Sequence, residues 1–125
     1  SKSKISIVCN GDRFAQICGD WILLSWAMEN LINNSIDAIG SGSGKISFII
    51  TKLDYEIILD VIDTGKGINR SDWKKIFNPG FSSKRRGWGL GLSLAQRIIK
   101  EIHKSRIRVL SSKTGETIFR LNFNL

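Results

Sequence analysis

The feature that most limits the fold is a helical apolar period running from Asp20 to Ile39. Trp21, Leu24, Met28, Leu31, Ile32, Ser35 and Ile39 recur at three and four residues, the spacing that lines one stripe of a helix. Asp20 stands where an N-cap acid accepts the first free backbone N–H groups. The run Gly40-Ser-Gly-Ser-Gly44 ends the helix. It has a superficial likeness to a phosphate loop, but no helical pattern follows it, so it reads as a flexible turn into a strand. Lys45 to Lys52 and Tyr55 to Ile62 are rich in β-branched and aromatic residues and flank a tight turn at Leu53-Asp54. That pattern predicts a hairpin, and an apolar helix stripe beside it predicts a helix layered on a sheet.

The rest of the chain fits this arrangement. Ile5 to Cys9 is a short apolar run that predicts a strand, with Cys9 as a buried thiol. Leu90 to His103 returns to helical period through Leu90, Leu94, Ala95, Ile98 and Ile102. Ile107 to Leu110 and Thr117 to Phe123 predict a closing hairpin across Thr114-Gly115. Between the second strand and the second helix, Thr64 to Trp88 is a long Gly-, Ser- and base-rich loop with one short helix expected at Ser71 to Phe77; loops of this length in small domains carry function or are disordered. The expectation is an α/β (α+β) two-layer sandwich, a mixed sheet with helices on one face.

Composition sets bounds on this. At 125 residues and 42% hydrophobic, the chain has enough for one domain, residues 1–125, with one core. No run of about 18 apolar residues spans a membrane, and no signal peptide is visible at Ser1 to Lys4. The absence of an initial Met points to a piece excised from something longer. Cys9 and Cys18 are too few for a disulfide scaffold or a zinc site, which points to a reducing compartment. The net charge is +8, and seven of nineteen basic residues fall between Lys66 and Arg86, with Asp72 the one acid among them. Such a cluster serves as a solvated loop or meets nucleic acid, anionic lipid or a phosphorylated ligand.

Four constellations carry chemistry. Asn30, Asn33, Asn34 and Asp37 share a helix face. Solvated faces favour Lys and Glu, and each Asn costs roughly 0.5 kcal/mol in helix propensity relative to Ala. Amide and carboxylate oxygens there suit a hard cation such as Mg²⁺ that keeps waters and bridges to phosphate. Asp63-Thr-Gly-Lys-Gly67 follows an apolar strand, so Asp63 sits near the core and needs a donor, for which an exocyclic amine such as adenine N6 serves; an Asx turn is the bland alternative. Gly65 and Gly67 permit close backbone approach to a flat ring. Gly87-Trp-Gly-Leu-Gly-Leu92 opens the last helix, where backbone N–H groups and the helix dipole favour an anion. It has neither the dinucleotide spacing nor a Walker A lysine. Phe77-Asn-Pro-Gly-Phe-Ser-Ser-Lys84, inside the long loop, offers two aromatic anchors for a lid, or forms an ordinary turn with two core anchors.

In this order, polar helix, DxGxG after a strand, aromatic loop and GxGxGL helix, the series resembles the N, G1, F and G2 boxes of the sensor histidine kinase ATP-binding domain of the GHKL superfamily. The resemblance runs from about Asp20 to Phe123, and "IFNPGFSSKRRGWGLGLSL", from Ile76 to Leu94, is similar to a variant of Bacteroidetes-type sensor kinases. It implies a Bergerat-type fold binding ATP and Mg²⁺. Asn34 matches the Mg²⁺-binding asparagine, and Asn30 the position of a catalytic Glu in ATP-hydrolysing relatives, with Glu29 beside it. Asp63 matches the adenine-binding Asp, flanked by Gly65 and Gly67. Gly87, Gly89, Leu90, Gly91 and Leu92 match the phosphate-side loop. Thr117 matches a Thr near the adenine pocket, and Lys84, Arg85 and Arg86 fall where lid residues reach phosphates.

Two departures mark this sequence. Asp37 replaces the usual base after the N box, and His103-Lys-Ser replaces the usual His-Gly-Gly. The resemblance implies transfer of the γ-phosphate of Mg-ATP to a histidine on a separate dimerisation domain, with a response regulator as the indirect partner. His103, the one histidine, reads instead as a C-terminal helix cap. A monomeric, cytoplasmic domain follows, within a homodimeric parent of a kind that the inner membrane can anchor. Three alternatives stand beside it. One is an ATP-hydrolysing clamp like a gyrase or Hsp90 N-terminal domain, using Glu29 or Asn30. Another is an aspartic protease, from Asp63-Thr-Gly65. The third is a basic nucleic-acid module with Trp73, Phe81 and Trp88 among its charges.

Overall fold

The computed structural model describes residues 4–81 and 91–125. Strand β1 (Ile5–Gly11) leads to helix α1 (Trp21–Ile39), and the hairpin β2 (Gly44–Lys52) and β3 (Glu56–Asp63) follows. Two 3₁₀ turns, Arg70–Asp72 and Lys75–Phe77, precede α2 (Gly91–Arg97), which widens into a π turn at Ile98–Ile102. The hairpin β4 (Arg106–Lys113) and β5 (Glu116–Asn124) ends the chain. The strands form one sheet in the order β1-β2-β3-β5-β4, with β1 parallel to β2 and the other pairs antiparallel.

Register shows how the sheet builds both a core and a site. One row across the inner face reads Cys9, Phe48, Val61, Phe119 and Val109. A neighbouring row reads Ile7, Ile46, Asp63, Thr117 and Ser112. From Phe48 to Val109 the first is apolar and lies under the helices; the second turns polar at Asp63 and marks where the core gives way to a cavity. Ala27 and Leu31 of α1, Ala95 of α2, and Phe119 and Leu121 of β5 are completely buried. Phe77 packs edge-on to Phe119, ring centres 6.3 Å apart at 89°, and so secures the segment after β3 to the core. Phe81, the other expected anchor, is 45% exposed.

Asp20 caps α1 as expected, its Oδ1 accepting the Leu23 N–H at 3.1 Å. Three expectations need correction. Cys9 is exposed, because β1 is an edge strand and the helical layer does not cover it there. The expected helix at Ser71 to Phe77 is two 3₁₀ turns. The last helix is not uniform: its π turn closes with the His103 N–H on the Ile98 carbonyl at 3.1 Å, and the consecutive Ile98 and Ile99 are both buried. His103 is the expected cap, but its imidazole also reaches Asp20.

Candidate functional site

A cavity of about 570 Å³ opens between α1, the end of β3 and the segment that follows it. Its α1 wall is the predicted polar stripe, Asn30, Asn33, Asn34 and Asp37, with Ala38. Asp63 and Thr117 form the floor, Gly91 and Leu92 of α2 border it, and Lys66 to Asn69, Asp72, Ile76 and Phe81 close the far side. The helix that had to bury Ala27, Leu31 and Ser35 is thereby obliged to turn the asparagines toward this space.

Asp63 is 1% exposed. Its Oδ1 accepts the Gly65 N–H at 2.9 Å, while its Oδ2 has no hydrogen-bond partner. Burial raises the carboxyl above its ordinary range, opposed by the Gly65 N–H and by the neighbouring hydroxyl of Ser35. That hydroxyl is itself fully buried and makes no well-formed hydrogen bond. Buried polar atoms in native proteins are nearly always paired, so an orphaned carboxylate oxygen on a cavity floor marks a place for a donor from outside the chain.

The glycines of the DxGxG segment have a reason the sequence did not reveal. A Cβ at Gly65 would lie 2.7 Å from the Ala38 backbone, and one at Gly67, where φ is +89°, would lie 2.9 Å from the Lys113 carbonyl. The segment is threaded between the end of α1 and the β4–β5 hairpin. The Lys66 N–H donates to Ala38 O at 3.0 Å, Gly115 N–H to Gly65 O at 2.8 Å, and Ile68 N–H to Ser112 Oγ at 2.8 Å. Ser112 Oγ in turn shares a 2.7 Å hydrogen bond with Thr117 Oγ1. Trp73 Nε1–H donates to Ile68 O at 3.1 Å, and Arg70 covers the indole at 4.3 Å.

The structure thus brings together Asn30, Asn34, Asp63, Gly67, Gly91, Leu92 and Thr117, with Gly65 adjoining. Glu29 is exposed and does not line the cavity. Lys84, Arg85, Arg86, Gly87, Gly89 and Leu90 lie outside the described residues. Of the basic cluster, Lys66 is the member that lines the cavity among the described residues. The sequence did not reveal the hydroxyls behind the site: Ser35, beside Asp63, hid as one position of the apolar period, and Ser112, which holds Ile68 N–H and Thr117 Oγ1, gave no signal. The aspartic-protease alternative fails on the fold, since Asp63-Thr-Gly65 ends a strand of a mixed sheet layered with helices.

Comparison with known proteins agrees with this geometry. Residues 19–125 match the model of the histidine kinase-, DNA gyrase B-, and HSP90-like ATPase family. The signal transduction histidine-protein kinase AtoS of Escherichia coli K12 is 40% identical over 101 residues, covering 80% of this chain and 16% of that protein. Sporulation kinase B of Bacillus subtilis 168 is 32% identical over 102 residues, covering 82% of this chain and 24% of that protein. The chain therefore spans less than a quarter of either relative. The nucleotide-free catalytic domain of histidine kinase ThkA superposes with a TM-score of 0.83 at 26% identity, covering 96% of this chain and 78% of that one. A ThkA structure in complex with the response regulator protein TrrA shares the fold at a TM-score of 0.79 and 24% identity, covering 96% and 34%. This chain belongs to the histidine kinase-, DNA gyrase B- and HSP90-like ATPases, among the ATP-binding catalytic domains of sensor histidine kinases.

Proposed function

We propose that this chain binds Mg-ATP in the cavity and positions its γ-phosphate for transfer to a histidine on the dimerisation domain of its parent kinase. The observation that carries this reading is the buried, unpaired Asp63 Oδ2, which the exocyclic amine of adenine would satisfy. Gly65 and Thr117 flank the base, and Gly67 lets the chain pass beside it. Asn34, with Asn30 one turn away, offers neutral amide oxygens suited to Mg²⁺, which would supply charge neutralisation on the phosphates. Gly91 and Leu92 border the cavity on the side where the phosphates would lie, and the family resemblance gives phosphate-side roles to Lys84, Arg86, Gly87, Gly89 and Leu90, which lie outside the described residues. The chain's own work is to orient and enclose the nucleotide.

The acceptor comes from elsewhere. His103 has both ring nitrogens engaged: Nε2 accepts the Asp20 N–H at 2.9 Å, so the ring proton is on Nδ1, 2.9 Å from Ile98 O. That imidazole is not a free nucleophile. The partner in this reading is a histidine-bearing dimerisation domain in a homodimeric parent, with a response regulator as the indirect partner; the structure of histidine kinase ThkA in complex with the response regulator protein TrrA supports the latter. This reading treats the chain as a single monomeric domain that works in the cytoplasm. Among the described residues no helix is long and apolar enough to cross a membrane. An ATP-hydrolysing clamp is the weaker reading, because exposed Glu29 does not reach the cavity to activate water. A nucleic-acid module is weaker too, since the Trp73 ring is already covered by Arg70.

Calorimetric titration of Mg-ATP and Mg-ADP, with Asp63→Asn as the control, tests the reading. One-to-one binding lost in the variant supports it. Wild-type binding that the variant retains refutes the assignment of Asp63, and no binding by the wild type refutes the nucleotide site.

A further inference from the structure

The two helices that border the cavity run antiparallel, and their far ends are tied by one side chain. At the cavity, Gly91 at the start of α2 lies against Asn30 of α1, where a Cβ on Gly91 would stand 3.5 Å from Asn30 Oδ1. At the other end, the His103 imidazole bridges the two elements. It accepts from the Asp20 N–H, one of the orphan donors at the α1 N-terminus, and it donates to Ile98 O in the π turn. The junction is close-fitting: a Cβ at Gly19 would lie 2.6 Å from the ring. Ser105 fixes the turn behind it, its Oγ–H donating to His103 O at 3.0 Å and its N–H to Ile99 O at 2.9 Å.

We infer that His103 is a positioning residue for the nucleotide site: by pinning the distal ends of the helix pair, it sets how far the last helix slides along α1, and so where Gly91 stands relative to Asn30. A simple cap needs only the bond to Ile98 O, which lies within its own helix. The bond to Asp20 spans 83 positions of sequence and joins the element carrying the asparagine stripe to the element that opens at Gly91. Helix pairs shift by small slides along their packed faces, so a tie at one end restricts the register at the other. This inference rests on the nucleotide-binding reading above.

Two conservative variants separate a tie from a cap. His103→Gln places an amide oxygen near the position of Nε2 and keeps an acceptor for Asp20. His103→Asn places its amide near Nδ1 and keeps only the local cap. Mg-ADP binding to the 125-residue chain is measured by calorimetry, and the amide signals of Asn30 and Gly91 by NMR without nucleotide. His103→Asn is expected to weaken binding about three- to tenfold, the loss of one net hydrogen bond, and to shift both amide signals. His103→Gln is expected to stay near wild type in both. Equal behaviour of the two variants, whether both intact or both impaired, overturns the inference. If the wild type itself binds no nucleotide, the proposed function fails, and the NMR comparison still decides whether His103 sets the register.

Discussion

Asp60 and Asp63 sit three residues apart on β3 and point to opposite faces of the sheet. On the outer face, Asp60 accepts two hydrogen bonds from Arg120, Nε–H to Oδ1 at 2.8 Å and Nη2–H to Oδ2 at 2.9 Å. On the inner face, Asp63 is more deeply buried, has one backbone donor and leaves an oxygen unpaired. The first acid is complete within the chain and raises the pKa of the Arg120 guanidinium, its largest cause being that hydrogen bond. The second is incomplete until something else enters the cavity. A paired carboxylate stabilises; an orphaned one costs stability and is kept for what it binds.

The largest expected effect of breaking this contrast is at Asp63. Asp63→Asn should weaken Mg-ADP binding at least about 100-fold by calorimetry, because a site built around a buried acceptor loses both charge and complementarity. The same variant should leave the empty domain as stable as wild type or more so at neutral pH. The mirror experiment is Arg120→Ala. It should cost about 1–3 kcal/mol in chemical denaturation by stranding Asp60, with nucleotide affinity unchanged within about twofold.

The pH dependence sharpens the same comparison. Burial raises the Asp63 carboxyl from its ordinary 3.8, so the native state binds its proton more tightly than the unfolded chain. Below that ordinary value both states are protonated and no penalty applies; as pH rises through it toward the raised value, stability falls. Denaturation midpoints of wild type and Asp63→Asn should therefore diverge as pH rises through this window, with wild type losing ground. A wild-type curve parallel to that of the variant would sink the claim. The smallest effect is at the cap: Asp20→Ala should cost about 1 kcal/mol in denaturation, since the Leu23 N–H loses its acceptor while the N–H of residue 20 still reaches His103.

Much of this molecule was legible in the sequence because its signals are local. The α1 period, its Asp20 cap and both hairpins rest on spacing, capping and turn chemistry that a single chain displays. The asparagine stripe was legible for the same reason, since i, i+3, i+4 and i+7 share a face wherever the helix goes. The failures have physical causes. Cys9 lies in an apolar run, but whether such a strand is covered depends on its place at the edge of the sheet. The helical period at Leu90 to His103 carries no mark of a π turn, which the packing of Ile98 and Ile99 and the Asp20–His103 contact accompany.

The sequence by itself determined the strands, the position of both long helices, their order and the residue types of the site, because backbone propensity and periodicity act over a few residues. It marked the buried face of α1 only in part, since Trp21, first in the apolar stripe, is 80% exposed and Ala27 is buried instead. Tertiary structure alone decided that Gly65 and Gly67 pass close to Ala38 and Lys113. It also decided that Asp63 keeps an unpaired oxygen, that Glu29 faces solvent and that His103 joins two helix ends. Each of these depends on which distant segment arrives at a given atom, and hydrogen bonding and steric contact are settled within a few ångströms that no spacing along the chain specifies.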